Sequence, residues 1–599
     1  MKSVLEQLSR RVAHALAGIG VEGDPLIAPS QDDKFGDYQS NAAMGLAKKL
    51  GRKPREVAQA IIDNLRIDDL CEPPEIAGPG FINFRLRPDF LARSLQVIPP
   101  CTSGALDRVG LEPAAKPETI VVDLSSPNLA KEMHVGHLRS TVIGDCIARV
   151  LESEGHNVIR ENHVGDWGTQ FGMLVAHLRR VRPDVVERPD TLEIADLESF
   201  YIEAKARFDA DEEFRAESRE TVVALQKGDP TIRRIWKAFC DESLRHCHAI
   251  YERLGVRLID RGESFYNDLM DEVIRRLESV KTARPDLGVT DSEGALCIFP
   301  EGFKTRDGQP LPLIVRKSDG GYNYATSDLA TILHRIETLH ASRIVYVVGL
   351  SQKQHFEMLF AAARKVGWVG PDVRLEHLGF GNMLAAGGQP FKTREGGTIK
   401  LKNLLDEAVS RAKSVITEQS PDETKRDRNL PPEQIDRIAE TVGLGAVKYF
   451  DLLHSMTSDY TFDVEIMLSL EGNTAPYMMY AYARVRSIGR KAGVDFATLP
   501  TDAPIILEHA VEIALAKKLL QFAEKIELVA RELRPNVLTD YLYDLAKAFS
   551  RFYDKKLGVR VIDATPESVR HSRLRLCDLT ARVLKLGLHL LGIDTIEQM

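Results

Sequence analysis

One segment constrains the fold more than any other: residues 119–151 have the pattern of a β-strand, a polar loop and a helix in direct succession. Thr119-Ile-Val-Val-Asp-Leu124 is short and rich in β-branched residues, which predicts a buried strand. Apolar residues then recur at helical spacing at Leu138, Val142, Ile143, Cys146, Ile147, Val150 and Leu151. α/β sheets bind anions where a strand leads into a helix N-terminus, because free N–H groups and the helix dipole point there.

The first turn of that predicted helix carries the tetrapeptide His134-Val-Gly-His137, with Lys131 just before it. Two histidines three residues apart are neighbours on a helix surface, and both can donate hydrogen bonds to phosphate oxygens. Gly136 leaves room for a flat base against the backbone, and Lys131 adds a positive point charge. Four residues alone are a weak signal, and the alternative is a pair of solvated histidines. The strand–loop–helix setting favours a phosphate site.

The 599-residue length predicts several domains, and the 44% hydrophobic and 28% charged composition is that of a soluble protein. The sequence shows neither a signal peptide nor a window of ~18 apolar residues, so no membrane partner is expected. Seven scattered cysteines indicate a reducing compartment, and we expect a cytoplasmic protein. The net charge of −8 does not indicate a nucleic-acid binder, although residues 471–599 carry 19 basic against 16 acidic residues.

The order of predicted elements indicates four regions. Residues 1–110 predict a small α+β domain, and residues 111–420 predict an α/β domain with a doubly wound parallel sheet. A charged helical insertion at about 179–255 interrupts that sheet. The strands at 295–300, 313–316 and 342–349 are expected to form its second half. Residues 421–472 read as a helical junction, and residues 473–599 predict an all-α domain.

The segment SPNLAKEMHVGHLRST, at residues 126–141, resembles the HIGH signature of class I aminoacyl-tRNA synthetases in the form found in the arginyl-tRNA synthetase family. The family's other motifs have counterparts in an N-terminal GDYQ-to-GPGFINF pattern, in Tyr324 to Asp328 with Gln352, and in the loop Phe391-Lys-Thr-Arg-Glu-Gly-Gly-Thr398. That loop resembles a KMSKS variant without its second lysine, in place of which such family members carry a lysine upstream of the HIGH tetrapeptide. Lys131 occupies that position.

The resemblance implies an enzyme with a Rossmann-like catalytic domain that activates L-arginine with ATP and Mg²⁺, then transfers it to the terminal adenosine of tRNA(Arg). It also implies a monomer, a tRNA-contacting N-terminal domain, an anticodon-binding C-terminal domain and no permanently bound metal. The implied site residues fall into three groups: catalytic Lys131, His134 and His137; ATP-binding His134, Gly136, His137, His355, Lys392, Thr393 and Arg394; arginine-binding Asp123, Ser125, Asn128, Tyr324, Asp328 and Gln352. A guanidinium requires acceptors arranged as a fork, which suits this last set, and we expect Asp123, Asn128, Tyr324 and Asp328 to lie at strand ends that face the crevice.

Other interpretations remain open at this point. Cys240, His246, Cys247 and His248 suggest zinc, but His246 and His248 point away from each other on a helix, which argues against a shared metal. Cysteinyl synthetases carry metal-binding cysteines that this chain lacks, and small HxGH nucleotidyltransferases are much shorter. A non-catalytic RNA-binding relative would be expected to lose His134, His137 or the loop. Each candidate polar residue, taken alone, is more often a cap or a sheet-edge residue.

Overall fold

The computed structural model describes residues 3–101, 106–188, 192, 194, 197–385, 387–390, 399–418, 431–500, 502–557 and 559–597. The chain divides into two units. Unit 1 combines residues 1–114 with residues 468–599, and unit 2 comprises residues 115–467. No helix in the described part of the chain is both long and apolar enough to cross a membrane.

The N-terminal part of unit 1 is an α+β structure. Its elements are α1 (Val4–Gly18), β1 (Ile27–Pro29), β2 (Tyr38–Ser40), α2 (Ala42–Leu50), α3 (Pro54–Asp63), β3 (Glu75–Ala77), β4 (Phe81–Phe84) and α4 (Pro88–Gln96). The strands form an antiparallel sheet in the order β1-β2-β4-β3. Helix α1 is amphipathic and buries Val4, Leu8, Val12 and Leu16, while Pro54 opens α3 as its first residue.

Unit 2 contains twelve helices and eleven strands among its described residues. In chain order they are β5 (Thr119–Asp123), α5 (Val135–Ser153), β6 (Asn157–Asn162), α6 (Thr169–Val181), α7 (Pro183–Glu187), α8 (Leu197–Ala210), α9 (Glu212–Gln226), α10 (Pro230–Arg253), β7 (Ile259–Asp260), α11 (Asn267–Ala283), β8 (Val289–Ser292), β9 (Ala295–Ile298), β10 (Leu313–Arg316), α12 (Tyr324–Leu333), β11 (Arg343–Gly349), α13 (Lys353–Lys365), β12 (Arg374–Phe380), β13 (Met383–Ala385), β14 (Gln389–Pro390), α14 (Leu401–Glu418), α15 (Pro432–Leu453), β15 (Tyr460–Thr461) and α16 (Val464–Met467).

The centre of unit 2 is a parallel sheet in the order β12-β11-β5-β6-β7. Strand β5 is central, and the chain builds first to one side of it through β6 and β7, then to the other through β11 and β12. Tyr346 of β11 lies opposite Asp123 of β5. The fold class is therefore confirmed as a doubly wound sheet, whose switch point between β5 and β11 opens a crevice at the carboxyl edge.

The prediction that residues 295–300 and 313–316 belong to this sheet is wrong. Strands β8, β9 and β10 form a separate antiparallel sheet in the order β10-β9-β8. The local cause is the turn between β8 and β9, where Glu293 and Gly294 have φ values of 52° and 80°. Two successive residues with positive φ make the tight turn of a hairpin, and a hairpin joins antiparallel strands.

The described helices α6 to α10 form the insertion between β6 and β7. Helix α6 packs on α8 and α9, and α10 packs on α6 and α9. Helix α10 begins with Asp229 as N-cap, whose carboxylate accepts from the N–H groups of Thr231 and Ile232. In its described residues the insertion is therefore a helical layer that adds no strand to the sheet.

The C-terminal part of unit 1 is helical, with α17 (Ala475–Ala492), α18 (Ala510–Glu532), α19 (Asn536–Phe552) and α20 (Glu567–Leu590). It packs on the N-terminal part of the same unit. The buried Tyr38 hydroxyl donates to Glu524 at 2.8 Å, and Lys517 pairs with Asp37 at 2.6 Å. These contacts join the two ends of the sequence into one structure.

Candidate active site

The crevice of unit 2 collects the ends of four strands. β5 ends at Asp123, β6 at Asn162, β7 at Asp260 and β11 at Gly349. All four strands are parallel, so these ends lie at the same edge of the sheet. Side chains that follow these strand ends are thus brought together from distant parts of the sequence.

The turn that follows β5 has an unusual backbone. Ser125 and Ser126 have φ values of 68° and 52°, a conformation that L-residues rarely adopt in succession. Hydrogen bonds hold the turn on both sides: the N–H of Ser126 donates to Asn162 at 2.9 Å, and the N–H of Ser125 donates to Ser140 at 2.8 Å. The surroundings therefore compensate for backbone strain at this position.

The side chain of Ser125 is buried within that turn. Its hydroxyl lies 2.8 Å from the Tyr251 hydroxyl on α10 and accepts from Thr141 at 2.9 Å. Tyr251 also accepts from Asn162. Protein groups thus occupy the hydroxyl of Ser125, one of the residues expected to bind arginine.

The carboxylate of Asp123 is buried as well, and its partner is Arg335. Arg335 lies in a π-helix that follows α12 and is completely buried. Its guanidinium donates to Asp123 at 2.6 Å and to Glu161, while Ser126 donates to the other oxygen of Asp123 at 2.9 Å. Burial alone would raise the pKa of Glu161, but Arg335 and Arg261 outweigh that effect and lower it. This buried network joins the carboxyl ends of β5 and β6.

The HxGH segment lies where the sequence predicts it. His134 is the N-cap of α5, and its Nδ1 accepts from the N–H of Gly136 at 3.0 Å. The N–H of His134 in turn donates to Nδ1 of His137 at 3.1 Å, and the ring centroids are 4.0 Å apart. A Cβ atom at position 136 would lie 2.8 Å from Cε1 of His134, so any larger residue there would displace the imidazole ring.

Burial determines the protonation state of both imidazoles, and the hydrogen bonds determine which ring nitrogen carries the proton. Burial and the charge of Lys131 lower the pKa of His134, and burial together with His134 lowers the pKa of His137 to about 3. Both rings are therefore neutral near pH 7. Since each Nδ1 accepts a hydrogen bond, each proton lies on Nε2. The helix terminus thus presents two neutral N–H donors, a suitable arrangement for phosphate oxygens.

Lys131 and Asn128 are the two exposed residues of the largely buried loop between β5 and α5. The Asn128 side chain accepts from the N–H of Ala130 at 3.0 Å, and its carbonyl accepts from the N–H of Lys131 at 3.2 Å. The loop also pairs with Gly165 of the Gly165-Asp-Trp-Gly168 loop, through an N–H···O bond of 3.0 Å from Leu129. These hydrogen bonds hold the backbone of the loop that carries Lys131.

The predicted residues Tyr324 and Asp328 lie on a helix, and the expectation that they end a strand is wrong. Tyr324 is the first residue of α12, directly after the N-cap Asn323, and it is 76% exposed. Asp328 follows one turn later. Its Oδ2 lies 2.6 Å from Nε2 of His355 on α13, and this hydrogen bond raises the pKa of His355.

Glu263 joins the site without having been predicted from the sequence. It follows β7, and its N–H donates to the carbonyl of Val164 at 3.0 Å. Burial, together with the carboxylates of Asp166 and Asp328, raises the pKa of Glu263 to about 7. The crevice thus holds neighbouring carboxylates with a mutual repulsion that a bound cation would relieve. The sequence signal that could have identified Glu263 is its position as an acidic residue just after a short strand.

The remaining predicted residues lie around the same edge. Gln352 caps α13 immediately after β11 and is exposed. Lys392, Thr393 and Arg394 lie outside the described residues. The segment that follows them pairs with the HxGH turn, since the N–H of Val135 donates to Ile399 and that of Leu401 donates to Met133. Among the residues that are described, no group of three or more His, Cys, Asp or Glu could hold a metal ion.

Comparison with known families supplies the assignment that geometry alone leaves open. Residues 6–86 match the arginyl tRNA synthetase N terminal domain, and residues 105–464 match the catalytic domain of tRNA synthetases class I (R). Residues 478–599 match the DALR anticodon binding domain. The chain belongs to the arginyl-tRNA synthetase family. Membership of this family makes it an arginine–tRNA ligase with ATP as a substrate.

Individual members of the arginyl-tRNA synthetase family resemble the chain over its whole length. The arginine–tRNA ligase of Nostoc sp. (strain PCC 7120) is 50% identical over 603 residues, covering 100% of both chains. That of Thermosynechococcus vestitus is 47% identical and covers 100% of this chain and 99% of its own. The arginyl-tRNA synthetase of Plasmodium falciparum superposes with a TM-score of 0.85 at 30% identity, and that of Thermus thermophilus with 0.80 at 25%; each covers 100% of both chains.

Proposed function

We propose that the crevice carries out arginine–tRNA ligation in two steps. A carboxylate oxygen of arginine attacks the α-phosphate of ATP in line, which forms arginyl-adenylate and releases pyrophosphate. The 2′-hydroxyl of the terminal adenosine of tRNA(Arg) then attacks the arginyl carbonyl carbon, which forms the ester and releases AMP. Neither step needs a nucleophile from the protein.

ATP enters with Mg²⁺ on its phosphates, and the helix terminus at His134 receives it. The two Nε2–H donors of His134 and His137 and the ammonium of Lys131 stabilise the charge that develops on the phosphates as pyrophosphate leaves. Gly136 leaves space beside the nucleotide, and His355 lies at the opposite side of the switch point. Three residues outside the described range, Lys392, Thr393 and Arg394, complete the proposed ATP site.

The arginine side chain binds between the two halves of the sheet. The observation that supports this placement best is the pair of carboxylates at Glu263 and Asp328, because Asp328 adds to burial and Asp166 in raising the energetic cost of a charge on Glu263 until a cation binds. The guanidinium is planar and always charged, so it satisfies both. Tyr324, Gln352 and Asn128 surround the remainder of the substrate in this proposal.

The predicted roles of Asp123 and Ser125 take a different form in this proposal. Both residues are 5% exposed, and protein groups bond to both side chains. We infer that they act on arginine through the structure that they stabilise: Asp123 through the Arg335 network, and Ser125 through the turn that leads to Asn128.

Several coarser expectations complete the proposal. The N-terminal domain contacts the outer corner of the tRNA, and the C-terminal helices bind its anticodon. The proposed domain limits are 1–110 for the N-terminal domain, 111–420 for the catalytic domain, 421–472 for the helical junction and 473–599 for the anticodon-binding domain. The protein is a cytoplasmic monomer, and the presence of seven unpaired cysteines, all within the described residues, supports a reducing compartment. Sedimentation of the purified protein tests the monomer.

The decisive experiment is amino-acid-dependent ATP–pyrophosphate exchange, run with each of the twenty amino acids and both with and without tRNA. We expect exchange with arginine alone, and aminoacylation of tRNA(Arg) in the complete reaction. If lysine supported exchange as well as arginine does, the carboxylate pair would not be a site specific for guanidinium, because the ammonium of lysine would then satisfy the two carboxylates equally well. The arm without tRNA establishes whether activation depends on bound tRNA.

A further inference from the structure

One side chain from the helical insertion reaches the proposed ATP site. Tyr201, on α8, presents its ring to Lys131, whose Nζ lies 4.5 Å from the ring centroid. An ammonium over the face of an aromatic ring within ~6 Å is attracted by the ring quadrupole. This contact gives the insertion a chemical link to the HxGH segment.

The same ammonium acts electrostatically on His134, which lies three residues further along the chain. The positive charge of Lys131 lowers the pKa of His134, an effect second only to burial. No carboxylate among the described residues forms an ion pair with Lys131, and the residue itself is exposed. Nothing else in the described part of the chain therefore fixes the four-carbon side chain of this lysine, which is intrinsically flexible.

Helix α8 holds the tyrosine in a defined place. The preceding residue, Phe200, packs into the insertion with its ring centroid 4.9 Å from that of His177 on α6 and 5.9 Å from that of Phe239 on α10. His177 and Phe239 are buried. Phe200 thus anchors this turn of α8, so that the ring of Tyr201 stays beside Lys131.

We propose that Tyr201 is a positioning residue that holds the ammonium of Lys131 beside His134, ready for the phosphates of ATP. The inference rests on the proposed role of Lys131 in charge stabilisation. The insertion then contributes directly to the activation step. The ring face supplies the interaction, whereas the hydroxyl of Tyr201 has no part in it.

A series of substitutions in the full-length protein tests this inference, with kcat and KM for ATP measured in arginine-dependent pyrophosphate exchange with tRNA present. Tyr201→Phe and Tyr201→Trp keep an aromatic face, and we expect both within about twofold of the unchanged protein. Tyr201→Leu removes the face, and we expect kcat/KM for ATP to fall by about twofold to fivefold, the range that an exposed cation–π contact supports. The KM for arginine should stay unchanged.

A matched control lies on the same helix. Phe208 has Lys205 over its ring at 5.4 Å, so Phe208→Leu removes a similar contact that does not involve Lys131. We expect it to leave kcat/KM for ATP unchanged. If Phe208→Leu lowered kcat/KM for ATP as much as Tyr201→Leu does, the loss would come from a general disturbance of α8, and the inference would be overturned.

A double-mutant cycle separates this inference from the function on which it rests. If Tyr201 acts through Lys131, Tyr201→Leu should have no further effect in a Lys131→Met background. If Tyr201→Leu lowers kcat/KM for ATP equally in both backgrounds, the inference is overturned. It is also overturned if the Lys131→Met protein is inactive while the Tyr201→Leu protein is fully active. A fully active Lys131→Met protein instead overturns the proposed role of Lys131.

Discussion

The guanidinium of Arg335 donates to the carboxylate of Asp123 across 2.6 Å, although 212 residues separate the two in sequence. Neither group has more than a trace of solvent exposure. The attraction within a buried ion pair adds little to the free energy of unfolding. Removal of one partner lowers that free energy much more, because the other partner is left charged and unsatisfied. The main role of the Arg335–Asp123 pair is therefore to hold the carboxyl end of β5 in place, and its net contribution to the free energy of unfolding is small.

Arg335→Met should destabilise unit 2 by about 3–5 kcal/mol, since Asp123 and Glu161 would both lose a buried partner. The three tryptophans, Trp167, Trp236 and Trp368, all lie in unit 2, so the urea transition followed by tryptophan fluorescence reports on this unit. Arg284→Met serves as control, because Arg284 and its partner Asp286 are 60% and 61% exposed. The control should change stability by less than about 1 kcal/mol.

Arginine affinity should depend on the ionisation of Glu263. The pKa of this group is about 7 in the free protein, so it gains a proton and loses its charge as the pH falls below that value. Arginine binding requires the charged form, and its affinity should therefore decrease from about pH 8 to about pH 6. Glu263→Gln should weaken binding by roughly tenfold to a hundredfold, as expected for a lost charged hydrogen bond, and should flatten the profile.

Calorimetric titration with arginine at several pH values measures both effects of the Glu263→Gln substitution. Glu301→Gln is a suitable control because the Glu301 side chain is 93% exposed. An unaltered pH profile in the Glu263→Gln protein would show that another group is responsible.

Gly136→Ala should inactivate the enzyme without unfolding it. The new Cβ would lie 2.8 Å from the ring of His134 and would displace that ring. A misplacement of ~1 Å in a catalytic group is enough for a rate loss of about a hundredfold. The matched control is Gly45→Ala in α2, where a Cβ meets no atom within 4 Å. Exchange rates and thermal midpoints of both variants test this, and full activity of Gly136→Ala would contradict the crowding argument.

His137→Ala should abolish arginine-dependent exchange while tRNA binding, measured by filter retention, survives. His137→Gln carries an amide N–H near the position of Nε2 and should retain more activity than His137→Ala, because the lost group is a neutral donor. The pKa of His137 is about 3, so its ionisation should contribute no step to the pH–rate profile near neutrality. Equal loss in both variants would exclude simple donation from Nε2.

Asp328→Asn should lower the pKa of His355 towards its ordinary value of ~6.5. The hydrogen bond to Asp328 is the main cause of its raised pKa in the free protein. The pKa of His355 is higher in the folded protein than in the unfolded chain. The stability that the His355–Asp328 pair contributes is therefore complete below the pKa of His355 in the unfolded chain, and it is lost as the pH rises through the pKa of His355 in the folded protein. NMR titration of labelled histidines measures the shift. Saturating arginine should move His355 in the same direction if the guanidinium takes Asp328.

The sequence predicted the elements with local signals and missed contacts that depend on distant residues. The strand at Thr119, the helix N-terminus at His134 and the family itself were predictable, because β-branched runs, helical periodicity and motifs are local patterns. The separate sheet of β8 to β10 was misassigned because apolar four-residue strands look alike in parallel and antiparallel sheets. Glu263 and Arg335 were missed since only the folded chain places them beside Asp328 and Asp123.

The contact between Tyr38 and Glu524 has a consequence for synthesis of the protein. These residues are 486 positions apart, and the tyrosine hydroxyl is buried against a helix that the ribosome makes near the end of the chain. At ~5–20 residues per second, the N-terminal segment waits roughly 20 to 100 seconds for that helix to appear. Unit 2, which is continuous in sequence, has all its residues available earlier. The two ends of the chain therefore assemble last, and premature termination leaves the first hundred residues without the surface that completes them.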